Sequence, residues 1–192
     1  DPEMSRGLGD VYKRQIEHLG EIELAATNVI RSISTLFFVI VNSLAATTGS
    51  LVSNLLGARQ KHLVIPLCNR IIRLGYAIGF PLIVLCIIFS NYIFYIYSGN
   101  GNLIQMARLP FIVALLNYAF ALPGYVYMNA VTGTGATRIT FIFQTVTIVA
   151  YQIYLWSISY FSTSLSVYWT AEYLYVILLG LLAVIYLKNK NY

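Results

Sequence analysis

Apolar residues fill five long stretches of the chain, and most of the charged residues lie outside them or at their ends. The five stretches cover residues 24–58, 74–97, 109–132, 139–161 and 167–187. A helix crosses the hydrocarbon core of a bilayer with about 20 apolar residues, so each stretch is long enough to span it. The first stretch exceeds that length and must tilt or project beyond the membrane. The pattern predicts an all-α membrane protein, a bundle of five transmembrane helices.

Composition supports the same class. Only 10% of the 192 residues are charged, whereas a soluble domain carries about a quarter. Six of the seven acidic residues precede residue 24, and Glu172 alone follows it. The chain has no paired acids, metal-ligand cluster or serine–histidine arrangement within its spans, so we expect neither an enzyme nor a bound cofactor.

Basic residues predict the orientation of the spans. One side of the membrane carries seven of them, at the ends of spans and in their connections: Arg59, Lys61, Arg70, Arg73, Arg138, Lys188 and Lys190. The other side carries Arg108. Because cytoplasmic connections are enriched in Lys and Arg, we expect a plasma (inner) membrane protein with a cytoplasmic C-terminus. These groups form no single patch in the sequence, so no nucleic-acid partner is expected.

The first fifteen residues differ from the rest of the chain. They read DPEMSRGLGDVYKRQ, contain no apolar run and resemble a translated sequencing-adapter remnant. We therefore divide the chain into a non-native leader, residues 1–15, and a helical membrane domain, residues 16–192. Under this division the natural protein begins further upstream.

A glycine-rich stretch between the third and fourth spans reads TGTGATR. A phosphate-binding loop would need a Gly-Lys-Ser/Thr ending between a soluble strand and a helix. Neither the lysine nor the strand is indicated here. The stretch is therefore predicted to be a tight connection between two membrane helices.

Two motifs resemble the multidrug and toxic compound extrusion (MATE) family. The first span resembles the second helix of a half-transporter through Ala25, Ala26, Gly49, Gly57 and Ala58. The glycine-rich turn resembles the family's Gly-x-Gly-x-Thr-Arg turn through Gly133, Gly135, Thr137 and Arg138. The order and spacing of the motifs, with the basic tail LKNKNY, imply helices eight to twelve of a twelve-helix, two-lobe transporter. Some members carry an aspartate in the tenth helix, where this sequence has Ala121.

The resemblance implies a secondary exporter of multiple drugs or metabolites that works by alternating access with Na⁺ or H⁺ antiport. Its partners would be the lipid bilayer, a small cationic or amphipathic substrate, and the missing N-terminal half. A lipid-linked oligosaccharide flippase of the same superfamily is the alternative, and it would need a larger and more basic cavity. A non-transporting membrane scaffold is a further alternative, but it would need no polar stripes within its spans.

Polar residues within the spans are the candidate substrate or ion pathway. The first span aligns seven small or polar residues within about 60° of one another: Asn28, Arg31, Thr35, Asn42, Ala46, Gly49 and Ser53. This stripe fits either a cavity wall or a close helix contact. The third span has a similar stripe: Pro110, Ala114, Asn117, Ala121, Gly124 and Met128.

Five of the candidates are expected to act in specific ways. Asn117 suits an interhelical hydrogen bond, and Gln144 and Tyr151 on the fourth span suit contact with a cationic substrate. Arg31 and Glu172 lie at similar predicted depths and carry opposite charges. They either pair with each other or extend separately to the outer interface.

Overall fold

The computed structural model describes the backbone of residues 21–98, 101–161, 165–190 and 192, and the side chains of residues 27–95, 107–160, 167–190 and 192. Its helices are α1 (Glu21–Gly57), a 3₁₀ helix (Lys61–Leu63), α2 (Val64–Ile88), α3 (Ser90–Ser98), α4 (Gly101–Leu116), α5 (Tyr118–Gly133), α6 (Thr137–Phe161) and α7 (Leu165–Asn189). The predicted all-α class is confirmed. The leader assigned to residues 1–15 lies outside the described residues.

Five segments of the described chain are long and apolar enough to cross a membrane. They are Thr27–Gly57, Lys61–Ile88, Ala107–Gly133, Thr137–Tyr160 and Val167–Asn189. A helix satisfies its own backbone hydrogen bonds, and this is why apolar segments of this length form helices in lipid. The five predicted spans are therefore confirmed.

The helices differ from the predicted spans at two places. α2 begins at Val64, ten residues before the predicted second span, so Arg70 and Arg73 lie on this helix. The predicted third span is divided at Asn117 into α4 and α5. Hydropathy marks the part of a helix that suits hydrocarbon, whereas the helix itself continues wherever its backbone bonds can form.

Helix α5 lies at the centre of the bundle. It packs against α1, α7 and α2, whereas α6 packs mainly against α7. The stripe predicted on the third span is buried along α4 and α5, from Pro110 through Ala114, Ala121 and Gly124 to Met128. In this span the small residues therefore make helix contacts.

Glycines allow α5 to approach its neighbours closely. A Cβ atom at Gly133 would lie 2.4 Å from the carbonyl oxygen of Gly49 on α1, and one at Gly124 would lie 2.6 Å from that of Val176 on α7. Both distances are shorter than side-chain carbons tolerate. Gly49 and Gly133, which belong to the two motifs that carry the family resemblance, therefore meet at one helix contact.

Two turns end the helices on the side of the predicted cytoplasmic connections. Between α5 and α6, Gly135 has a φ of 82°, a left-handed conformation that glycine adopts without strain. At the end of α1, Arg59 has a φ of 60°, and its N–H donates to the carbonyl of Leu56 while Gln60 donates to Leu55. This is a Schellman motif with arginine in the position that glycine usually takes.

Candidate functional site

A buried amide, that of Asn117, lies where α4 meets α5. Asn117 is 9% exposed, and its Nδ2 donates to Oε2 of Glu172 on α7 over 3.4 Å. Its Oδ1 is buried and has no hydrogen-bond partner among the described residues. An amide oxygen accepts hydrogen bonds and also coordinates hard cations such as Na⁺. The pair therefore offers one carboxylate and one unused oxygen inside the bundle.

Asn117 lies at the junction of α4 and α5, where it keeps helical dihedral angles. The N–H of Asn117 bonds to the carbonyl of Val113 over a long 3.3 Å, and the hydroxyl of Tyr173 also donates to that carbonyl. Tyr173 follows Glu172 directly on α7. One turn of α7 therefore makes two contacts at this junction. Tyr173 bonds to the backbone of α4, and Glu172 bonds to the side chain of Asn117.

Arg31 and three tyrosines complete the polar cluster. Arg31, on α1, lies within electrostatic range of both Glu172 and Tyr151. The ring centroids of Tyr151 and Tyr175 are 6.1 Å apart, and those of Tyr125 and Tyr175 are 6.5 Å apart. All three tyrosines lie within electrostatic reach of the Glu172 carboxylate. Four helices, α1, α5, α6 and α7, contribute to this cluster.

The structure brings together four of the seven candidate residues: Arg31, Asn117, Tyr151 and Glu172. The other three lie elsewhere. Thr35 and Asn42 are exposed on α1, and the hydroxyl of Thr35 donates to the carbonyl of Arg31 over 2.8 Å. Gln144 lines a shallow groove on the outer surface of α6.

Tyr125 and Tyr175 were not among the predicted site residues. Tyr175 follows Glu172 by three positions, a spacing that places both on one face of α7. Tyr125 follows Asn117 by eight positions, which is about two helical turns and again one face. With 16 tyrosines in the chain, this spacing did not distinguish these two from the rest.

The stripe on α1 divides into two parts. Gly49 and Ser53 contact α5, where the Ser53 hydroxyl donates to the carbonyl of Gly133 over 2.9 Å. Asn28, Thr35 and Asn42 are exposed instead. The reading as a close helix contact therefore holds for Gly49 and Ser53, and the reading as a cavity wall stays a prediction for the exposed residues.

The fold and its polar groups define an α-helical integral membrane protein with ionisable and amide groups inside its spans. The MatE family model matches residues 14–156. The chain therefore belongs to the multidrug and toxic compound extrusion (MATE) family of membrane transporters, as the two motifs predicted. Neither the curated proteins nor the solved structures include a match to this chain.

Proposed function

We propose that this chain supplies helices eight to twelve of a secondary exporter of small cationic or amphipathic molecules, driven by inward Na⁺ or H⁺ flow. Membership of a transporter family supports transport. In alternating access, two repeats rock about a site between them, so one lobe must present polar groups to the other. The exposed part of the α1 stripe has this property.

The exposure of the Asn42 side chain is the observation that supports the proposal most directly. Asn42 lies near the middle of the 37-residue helix α1, and its side chain is exposed on the surface of the bundle. An amide in hydrocarbon without a partner is costly, so this face of α1 is expected to meet water or another protein surface. A cavity shared with the other lobe provides both.

Cysteine labelling tests this assignment in the complete transporter. In a background without Cys68 and Cys86, Asn42→Cys should react with a membrane-impermeant thiol reagent, and a transported cation should slow the reaction. Leu36→Cys is the matched control, because Leu36 is 67% exposed and lies about 120° around the same helix. It should react only with a lipid-soluble reagent. Equal labelling of the two positions by the impermeant reagent would contradict a cavity on this face.

The same assay separates the exporter from a flippase. Protection of Asn42→Cys by small organic cations supports the exporter. Protection by a lipid-linked oligosaccharide, with none by cations, would replace the proposed substrate class. The cavity assignment would hold in that case, and the substrate would change.

For coupling, we assign the ion to the cluster around Glu172. Glu172 is the one carboxylate among the described side chains, and an intramembrane carboxylate is usually functional. The free oxygen of Asn117 and the charge of Arg31 support this role. When Glu172 is ionised, it attracts Arg31 or a bound cation. When it takes up a proton, that attraction is lost and α1 is released from α7.

A further inference from the structure

The connection after α1 meets the C-terminal end of α7, at the end of the bundle opposite to the Glu172 cluster. Nζ of Lys61, in the connection after α1, lies 5.8 Å from the centre of the Tyr192 ring. The N–H of Tyr192 donates to the carbonyl of Leu187, which folds the end of the chain back onto α7. Lys188 and Lys190 are exposed within this last turn. Basic residues more than 120 positions apart in the sequence therefore lie at the same end of the bundle.

Arg59 is a further basic residue near Lys61, and its backbone has an unfavourable left-handed conformation. It holds the left-handed position of the Schellman motif that ends α1, with a φ of 60°. Glycine suits this position better, because an L side chain there crowds its own carbonyl. The Arg59 side chain is exposed, so packing does not explain why an arginine stands there. A function of its guanidinium group would explain the arginine.

No described acidic side chain neutralises these groups. Glu172, the one acidic side chain described, is separated from the end of α7 at Asn189 by about 25 Å of helix. Beside Lys61, Leu63 is 37% exposed at the start of a helix that enters the membrane. Exposed basic groups next to an exposed apolar residue match the chemistry of the lipid headgroup region.

We propose that Arg59, Lys61, Lys188 and Lys190, here called the α1–α7 basic cluster, bind the phosphate of an anionic phospholipid in the adjacent leaflet. Arginine supplies a planar pair of donors to phosphate oxygens, and lysines supply point charges around it. A general bias of basic residues towards one side of the membrane requires only their number. It does not require the tertiary contact that joins the end of α7 to the connection after α1. A bound headgroup would hold these two helix ends together.

The test uses the complete transporter, purified in neutral detergent and transferred to nanodiscs of phosphatidylcholine with or without phosphatidylglycerol. Wild type should retain phosphatidylglycerol in native mass spectra and should unfold at a higher temperature in its presence. The triple variant Lys61→Gln, Lys188→Gln, Lys190→Gln should bind it on the order of a hundredfold more weakly, since each basic group near a membrane surface contributes about fivefold. Arg138→Gln removes a charge from the first turn of α6, on the same side, and should leave binding unchanged.

The variant Arg59→Gly distinguishes a loss of lipid binding from a general loss of stability. This variant should raise the unfolding temperature in neutral detergent, because glycine adopts the left-handed turn without strain. It should also lower the gain that phosphatidylglycerol provides. Wild-type lipid retention by the triple variant, or an equal loss in Arg138→Gln, would overturn the proposal. Displacement of the lipid by the same concentration of inorganic phosphate would show a site for soluble anions and would overturn the lipid assignment.

Discussion

Tyr76 on α2 and Tyr118 on α5 each donate a hydrogen bond to the backbone of the other's helix. The hydroxyl of Tyr76 bonds to the carbonyl of Ala119 over 2.5 Å, and that of Tyr118 bonds to the carbonyl of Gly75 over 2.8 Å. Ala119 lies four residues before Pro123, which has no N–H to offer it. Tyr76 therefore replaces the helical donor that the proline lacks.

We predict that Tyr76→Phe destabilises the bundle more than Tyr118→Phe. The first change leaves the Ala119 carbonyl without a donor in an apolar environment, at a cost of about 1–3 kcal/mol. The second leaves the Gly75 carbonyl within its own helix and should cost about 1 kcal/mol. Thermal unfolding in detergent measures both, with Tyr92→Phe as the control because Tyr92 is 69% exposed. A larger loss in Tyr118→Phe would contradict the role assigned to Pro123.

The glycines on α5 provide a second prediction. Gly124→Ala and Gly133→Ala should each lower the free energy of unfolding by about 1–3 kcal/mol, because the new methyl group meets backbone atoms that cannot move aside. Gly57→Ala is the matched control, since a Cβ at Gly57 meets no atom of the described residues beyond its own helix turn within 4 Å. Unfolding temperatures of the three variants test this. If Gly57→Ala is as destabilised as the others, helix packing is not the cause.

The Glu172 cluster gives a prediction about coupling. In the complete transporter, Glu172→Gln keeps an oxygen that can accept from Asn117 but removes the negative charge. The variant should fold and reach the membrane, yet lose transport driven by a Na⁺ or H⁺ gradient. Vesicle uptake of a fluorescent cation under each gradient measures this. Arg31→Gln should do similar damage, and Arg31→Lys should restore part of the activity.

Two results bear on this assignment in opposite ways. Retained activity in Glu172→Asp would support a role for the charge itself. Wild-type gradient-driven export by Glu172→Gln would leave the contact between Asn117 and Glu172 as a structural hydrogen bond only.

The distribution of basic residues predicts the topology. His62→Cys, in the connection after α1, should react with an impermeant thiol reagent only from the cytoplasmic side. Asn100→Cys should react only from outside. Intact cells and inverted vesicles distinguish the two. The reverse labelling pattern would overturn both the orientation and the cytoplasmic C-terminus.

The sequence was sufficient for the class, the spans and the family. A run of apolar residues longer than the hydrocarbon thickness has one stable backbone solution, a helix, and the five runs follow this rule. The motifs around Gly49 and Gly133 identified the family because backbone contacts without side chains need glycine at fixed places. Bounds were less exact where charged residues continue a helix, as Arg70 and Arg73 do on α2.

Only the tertiary structure decided which face of each helix is buried. In a soluble protein the apolar face marks the core, but in a membrane both the core and the lipid-facing surface are apolar, so the pattern carries little contrast. The exposure of Asn42, the burial of Asn117 against Glu172 and the approach of Lys61 to Tyr192 therefore could not be derived from spacing. Each depends on how helices distant in the sequence pack, and that packing is set by close contacts between backbones, which hydropathy does not describe.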